Sequence, residues 1–276
     1  MTSLGRYSAL GATFELRASG QLAKVLRAAC VDLRVEESAA RTAAATQGPE
    51  HLLEVVRRGL GRWDVRCDGD PRSIGVAASD ALRDALAAIS GLARSAAIAT
   101  DTVLDAGAVE IDGVAVGFVG PGGARTSGFT AAAALRGCGY IADDVLAVDA
   151  DGQVRPFHRP ITLRHRGIES LALDVPRGPF SSCYPLRLGA RTTLSDGAML
   201  GLLVLVERNG VTSLQPMPEP LALARLANQV IEAAGNERIM FARLDRLVRR
   251  VPVVTMAYAD LDGAVAAARA VLAERR

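Results

Sequence analysis

Gly120 to Ser127 reads GPGGARTS, a run whose residue types suit the binding of phosphate. Glycines at 120, 122 and 123 leave consecutive backbone N–H groups free to point at phosphate oxygens, and a helix opening just afterwards adds positive potential. Ser127 stands where such a loop carries the hydroxyl that ligates magnesium. The departures are in charge. Thr126 occupies the position of the lysine that reaches the β and γ phosphates, and Arg125 that of the last glycine. Thr126 donates one neutral hydrogen bond. Arg125 is cationic, but it sits one residue early and its planar head needs more room. Lys24 is the only lysine of the chain, so no neighbouring lysine stands in. A glycine-rich strand-to-helix turn that binds nothing has the same pattern, and the loop by itself does not separate the two.

Asp143 and Asp144 follow at the end of the apolar run YIA. Two carboxylates there fit a metal ligand and a general base beside bound phosphates; solvated acids at a strand-end turn are the plainer reading. Adjacent side chains of a regular strand face opposite ways, so one of the pair is expected to enter any site. Arg155, His158, Arg159, Arg164, His165 and Arg166 form a basic stretch that suits nucleotide phosphates or an acidic peptide, with a solvated arginine-rich edge the favoured alternative. Ser181, Ser182, Cys183 and Tyr184 lie in an aperiodic stretch, and nothing near in sequence would activate the thiol. Asp196 and Glu207 are further oxygen donors, read as exposed acids. No Ser-His-Asp order with a nucleophile elbow points to a hydrolase.

These residues need elements to hold them. LDAGAVEIDGVAVGFVG contains two apolar runs around Asp112-Gly113, which predicts a hairpin whose second strand runs into the loop. Thr130 to Leu135 is alanine-rich and helical, and YIADDVLAV is a strand interrupted by its carboxylates. GLLVLVE, VTSLQP and VPVVTMAY read as strands, and helices are expected over about 219–234, 237–250 and 261–275. Residues 174–197 lack periodicity and are expected to be a long loop. Towards the N-terminus ATFELRAS alternates as a strand, QLAKVLRAACVDL has helical spacing, HLLEVVRRGL reads as a short helix and RWDVRC as a strand. Ser79 is the expected cap of a helix with Leu82, Leu86, Ile89 and Ala93 on one face. This gives an N-terminal α+β layer or small domain over 1–95 and a larger domain over 96–276.

The 276 residues are half hydrophobic, enough for a sizeable core. A formal net charge of +2 argues against nucleic acid as the main partner. Cys30, Cys67, Cys138 and Cys183 are widely spaced, without C-x-x-C and without a cluster with His51, His158 or His165, so a zinc site is not expected. Scattered cysteines and the lack of a charged start followed by an apolar stretch predict a reduced, cytoplasmic protein. The longest apolar run, Ala198 to Val206, is too short for a bilayer, so no membrane partner is expected.

Several stretches in register resemble the HPr serine kinase family, related to phosphoenolpyruvate carboxykinase, and within it the divergent bacterial members found beside peptide-modifying enzymes. They are LDAGAVEIDG (104–113), GPGGARTSG (120–128), GYIADDVLAVD (139–149), PFHRPITLR (156–164) and LVRRVPVVTMAYADLDGAV (247–265). The resemblance covers about 104–275. It implies an α/β fold, an HPr-kinase-like twisted mixed sheet with a phosphate loop at its edge, beside the smaller α+β N-terminal part. It implies ATP and Mg2+ as ligands and a serine or threonine hydroxyl on a peptide or protein as acceptor. It carries the base and metal roles to Asp143 and Asp144 without dividing them, puts Ser127 and Asp144 at the metal, and puts Gly120, Gly122, Gly123, Arg125, Thr126 and Ser127 at the nucleotide. The chain departs from the family at Arg125, at Thr126 and at Asp105, where the family has a histidine. Losing one such lysine contact removes several kcal/mol of charge stabilisation, roughly a thousandfold in rate. The expected function is therefore a pseudokinase or repurposed kinase that binds a peptide or partner in a peptide-modification pathway. The alternative is an active ATP-dependent kinase with Arg125 in the lysine's role. A homo-oligomer is left open.

Overall fold

Strands β1 (Thr2–Ala9) and β2 (Ala12–Ala18) pair as a hairpin over Leu10 and Gly11, both at positive φ (52° and 103°) as a tight two-residue turn requires. This structure, a computed structural model, describes residues 1–35, 49–120, 126–174, 179–180, 183–208, 212–231, 236–258 and 260–274. Helix α1 (Gly20–Ala29) and the residues after it carry the chain to β3 (His51–Gly59), which lies parallel to β2; a parallel pair needs such a crossover. Strands β4 (Arg62–Cys67) and β5 (Asp70–Val76) complete a five-stranded sheet of order β1-β2-β3-β4-β5. Helix α2 (Ala78–Ala97) buries Leu82, Leu86, Ile89 and Ala93, the face its spacing predicts, and opens one residue before Ser79.

HLLEVVRRGL is a strand, not the helix expected from its apolar residues. Leu53 and Val55 are buried in alternation between β2 and β4. A short apolar run does not distinguish the two periods, and pairing on both edges decides it.

The chain then builds β6 (Thr102–Leu104), β7 (Ala106–Ile111), β8 (Val114–Val119), α3 (Thr126–Leu135), β9 (Gly139–Ala142) and β10 (Leu146–Val148). The β7–β8 hairpin turns at Asp112 and Gly113, at φ 52° and 82°. Strand β11 (Ile161–Arg164), helix α4 (His165–Ser170) and strand β12 (Cys183–Leu186) follow, with β11 and β12 antiparallel. The stretch expected to be a loop over 174–197 thus contains β12 and, at Leu188–Ala190, a 3-10 turn. The last elements are β13 (Leu200–Arg208), β14 (Ser213–Pro216), α5 (Glu219–Ala227), α6 (Glu237–Arg250), β15 (Val253–Tyr258) and α7 (Leu261–Ala273).

Two compact units result. The first joins Met1–Ala96 to Arg159–Arg187, and the second joins Ala97–His158 to Leu188–Arg276. In the first, Arg187 grips Asp32 with two hydrogen bonds, at 2.8 and 2.7 Å, and so ties the later segment to the earlier one. The second is built on a six-stranded mixed sheet of order β14-β15-β13-β8-β7-β9, in which β8, β13 and β15 run parallel. Helix α3 packs on one face with α7 beside it, and the opposite face meets Leu146 of β10. Phe129 of α3 is fully buried, its ring 4.5 Å from Phe118 of β8; removing such a side chain from water contributes about 1.5–3 kcal/mol. The architecture is mixed α/β. Among the described residues no helix is long and apolar enough to cross a membrane.

Candidate functional site

The loop follows β8, which runs parallel to β13 and antiparallel to β7. β8 stops at Val119, Gly120 is buried, and α3 opens at Thr126. Residues Gly122, Gly123 and Arg125 lie outside the described residues, so of the predicted nucleotide-binding set Gly120, Thr126 and Ser127 are placed. Thr126 and Ser127 are the half-buried first residues of α3, where backbone N–H groups have no partner within the helix. The helix behind them is buried from Gly128 to Ala134. Alanines carry that burial because they are the best helix formers and let sheet and neighbouring helix approach closely.

Gly107 of β7 makes the closest approach. A Cβ built there would fall well inside 3.0 Å of Thr130 Oγ1, 3.1 Å from Thr130 Cβ and 3.2 Å from Asp143 Oδ1. Thr130 of α3 and Asp143 after β9 therefore converge over a spot that only glycine leaves open. Thr130 Oγ1 also donates to Thr126 O at 3.0 Å, tying this contact to the opening residue of α3.

The aspartate pair is not on a regular strand. β9 ends at Ala142, and Asp144 has φ 70°, a left-handed conformation that aspartate tolerates better than most residues. The expected alternation of two strand side chains does not apply. Asp143 is fully buried (0% exposed), while Asp144 is half-exposed. Asp105 is exposed at the start of β7, one residue before the Ala106–Val119 pair, and its N–H donates to Gln229 O at 2.9 Å.

Sequence reasoning missed three residues here. Gly107 and Thr130 carry the closest contact, and their only signal was one glycine between two alanines at the start of a strand. Tyr258 ends β15, three residues beyond Thr255, which is level with Val119 through Leu205. Its ring meets Phe129 edge-on at 5.6 Å, and its buried hydroxyl has no hydrogen-bond partner among the described residues. Nothing in VPVVTMAY marked that tyrosine as different from the rest of its strand.

Other predicted residues are elsewhere. Glu207 forms an exposed ion pair with Arg225 at 3.0 Å, and Asp196 is exposed before β13. Among the described residues no three His, Cys, Asp or Glu side chains group as a metal site. The basic stretch is neither a phosphate-facing strip nor a solvated edge throughout. Arg155 binds Asp101, which is 3% exposed, at 2.9 Å, and His158 Nε2 lies 2.9 Å from Ser195 O. Arg159 belongs to the first unit, where it is buried and donates to Ser90 Oγ and to Leu86 O. His165 pairs with Glu169 at 3.1 Å. Buried carboxylate and carbonyl acceptors give Arg155 and Arg159 structural work, which sequence adjacency does not reveal. Ser181 and Ser182 lie outside the described residues, and Cys183 opens β12.

No family model and no curated protein matches the chain. Among solved structures, the HPr(Ser) kinase/phosphatase from Coxiella burnetii aligns over 63% of this chain and 95% of its own, at 11% identity and a TM-score of 0.33. So distant a likeness transfers no chemistry, and the site stands on its own residues.

Proposed function

We propose that the second unit is a kinase-like phosphate-loop domain that no longer transfers phosphoryl groups and serves as a binding protein for a peptide or protein partner. One observation carries this reading: Thr126 opens α3 in the lysine's place, while Asp143, one of the two aspartates to which the resemblance carries the base role, is fully buried beside Gly107 and Thr130. A base must come within hydrogen-bond reach of the acceptor hydroxyl. Asp105, Thr126, Ser127, Asp143 and Asp144 carry no positive charge, whereas a transferring phosphate needs a cation beside it. Magnesium alone is a different matter. It takes one or two protein oxygens and fills its shell with water and phosphate, and the half-exposed Ser127 and Asp144 suit that. The residues do not fit ATP as a phosphoryl donor, and no transfer step is assigned to them. The peptide-modifying setting rests on the resemblance of residues 104–113, 120–128, 139–149 and 156–164, and a reduced cytoplasmic setting on the buried free thiols of Cys30, Cys67 and Cys138.

Calorimetry with ATP and magnesium tests the reading, run beside a phosphate-incorporation assay on a peptide encoded next to this chain's gene. Weak or undetectable nucleotide binding and no incorporation are expected. Micromolar affinity, or phosphate on the peptide, overturns it. The second reading, an active serine or threonine kinase with Arg125 in the lysine's role, draws its support from Ser127 and from the approach of Asp143 to the second turn of α3.

A further inference from the structure

At the end of the same sheet opposite the end of β8 at Val119 lies a cavity of about 170 Å³. It is bounded by the N-terminal ends of β13 and β6, by the turn after β10 and by the C-terminal half of α6. Helix α6 supplies Arg243, Arg246 and Arg250, whose spacing of three and four residues puts them on one helix face. Two of these guanidinium groups are engaged. Arg243 donates to the carbonyls of Ile98 and Asp101 at 3.0 Å each and of Ala99 at 2.8 Å. Arg250 donates to Ala150 O at 3.2 Å. Arg246 is exposed and makes no hydrogen bond or ion pair among the described residues.

A second observation points to a ligand. Thr102 lines the same cavity and is only 6% exposed, yet its hydroxyl has no partner among the described residues. Its hydroxyl is not among the enclosed, unpartnered polar atoms of the described residues, so it is open to a ligand in the cavity. The wall facing α6 is acidic. Asp149 Oδ1 accepts the N–H groups of Asp151, Gly152 and Gln153 at 2.9, 3.0 and 2.9 Å, while the exposed Asp151 carboxylate has no partner among the described residues. Met199, half-exposed, adds a flexible apolar wall.

We propose that this cavity binds a small organic carboxylate that carries an amino or hydroxyl donor. The carboxylate pairs with Arg246, with the Thr102 hydroxyl as a further donor, and the ligand's own donor meets Asp151. Charge balance selects this class over inorganic phosphate. A dianion drawn to the arginines would face Asp149 and Asp151 with nothing to offer them, whereas one molecule bearing both an anion and a donor satisfies both walls. The inference is independent of what the phosphate loop does.

The test is an NMR titration of the isotope-labelled full chain with L-alanine, glycolate, acetate and inorganic phosphate, at ionic strength matched with sodium chloride. Saturable shifts confined to the amides of residues 100–102 and 149–152 are expected, with L-alanine or glycolate binding more tightly than acetate. Arg246→Gln, an exposed change that leaves the fold intact, should weaken that binding roughly tenfold or more, and Thr102→Val severalfold. Three results would overturn the proposal: no saturable shift with any carboxylate, phosphate binding more tightly than all of them, or equal affinity in Arg246→Gln and wild type.

Discussion

Gly107→Ala tests the contact on which the whole site rests. The added methyl would meet Thr130 Oγ1 well inside 3.0 Å, with Thr130 Cβ at 3.1 Å and Asp143 Oδ1 at 3.2 Å. None of these atoms is the end of a long flexible side chain. Thr130 is β-branched and stiff about χ1, and its hydroxyl is held by Thr126 O at 3.0 Å. Relief therefore comes from lifting α3 off β7 by several tenths of an ångström, which also loosens Phe129 from Phe118. Overpacking of this kind costs about 1–3 kcal/mol, each kcal/mol lowering the melting temperature by roughly 2–4 °C in a domain of this size. Thermal and denaturant unfolding of wild type, Gly107→Ala, Thr130→Ala and the double variant would measure it. The double variant should recover part of the loss, because removing Oγ1 clears the worst clash; the coupling between the sites should be at least about 0.5 kcal/mol. If Gly107→Ala is as stable as wild type, or the two changes add without coupling, the close approach of α3 and Asp143 to β7 is wrong.

Rebuilding GPGGAGKS with Arg125→Gly and Thr126→Lys should raise ATP affinity by about 1–3 kcal/mol, and either change alone by less, because lysine needs the tight loop to reach phosphate; calorimetry on all four proteins decides, and a double variant no better than wild type refutes it. The Cys30 thiol is fully enclosed, and burial pushes it up to about 12 from 9.0. A raised pKa in the folded state means that the stability it carries is complete below pH 9.0 and is lost as pH rises towards about 12. The urea midpoint of wild type should therefore fall more steeply than that of Cys30→Ala over this alkaline range, and parallel curves would refute the assignment.

What the sequence revealed of the fold depended on whether local pattern or pairing decided each element. Asp112-Gly113 between two apolar runs announces a hairpin because both positions need positive φ, and the turn is there at 52° and 82°. The face of α2 was legible for the same reason, since Leu82, Leu86, Ile89 and Ala93 repeat at helical spacing. HLLEVVRRGL was not, because its identity as a strand is set by pairing with β2 and β4 and not by its own short apolar run. CYPL carries no strand signal either, and becomes β12 only against β11. The order of the site, from strand to loop to helix to acid pair, could be read residue by residue. The burial of Asp143 could not. It arises from a left-handed turn at Asp144 and from the space left by Gly107, thirty-six residues earlier in the chain.

That separation between what shapes the loop and what charges it explains how one can go without the other. The approach of α3 to the sheet is set by Gly107, Thr130, Phe118 and Phe129, none of them ionisable, and none loses its partner when the residue at 126 changes from an ammonium to a hydroxyl. A backbone cradle and a helix N-terminus can still favour an anion, but each such contribution is worth only about 0.3–1 kcal/mol at an exposed site. Binding of a nucleoside triphosphate asks for more than that, and Asp105, exposed at the loop's edge, works against it. On the proposed reading, a segment with no ammonium at residue 126 suits a weak, replaceable anion more than a committed substrate. If the proposed partner-binding role holds, an acidic side chain or the C-terminal carboxylate of a bound peptide would bring a single charge to the N-terminus of α3, which asks less of residue 126 than a nucleoside triphosphate does.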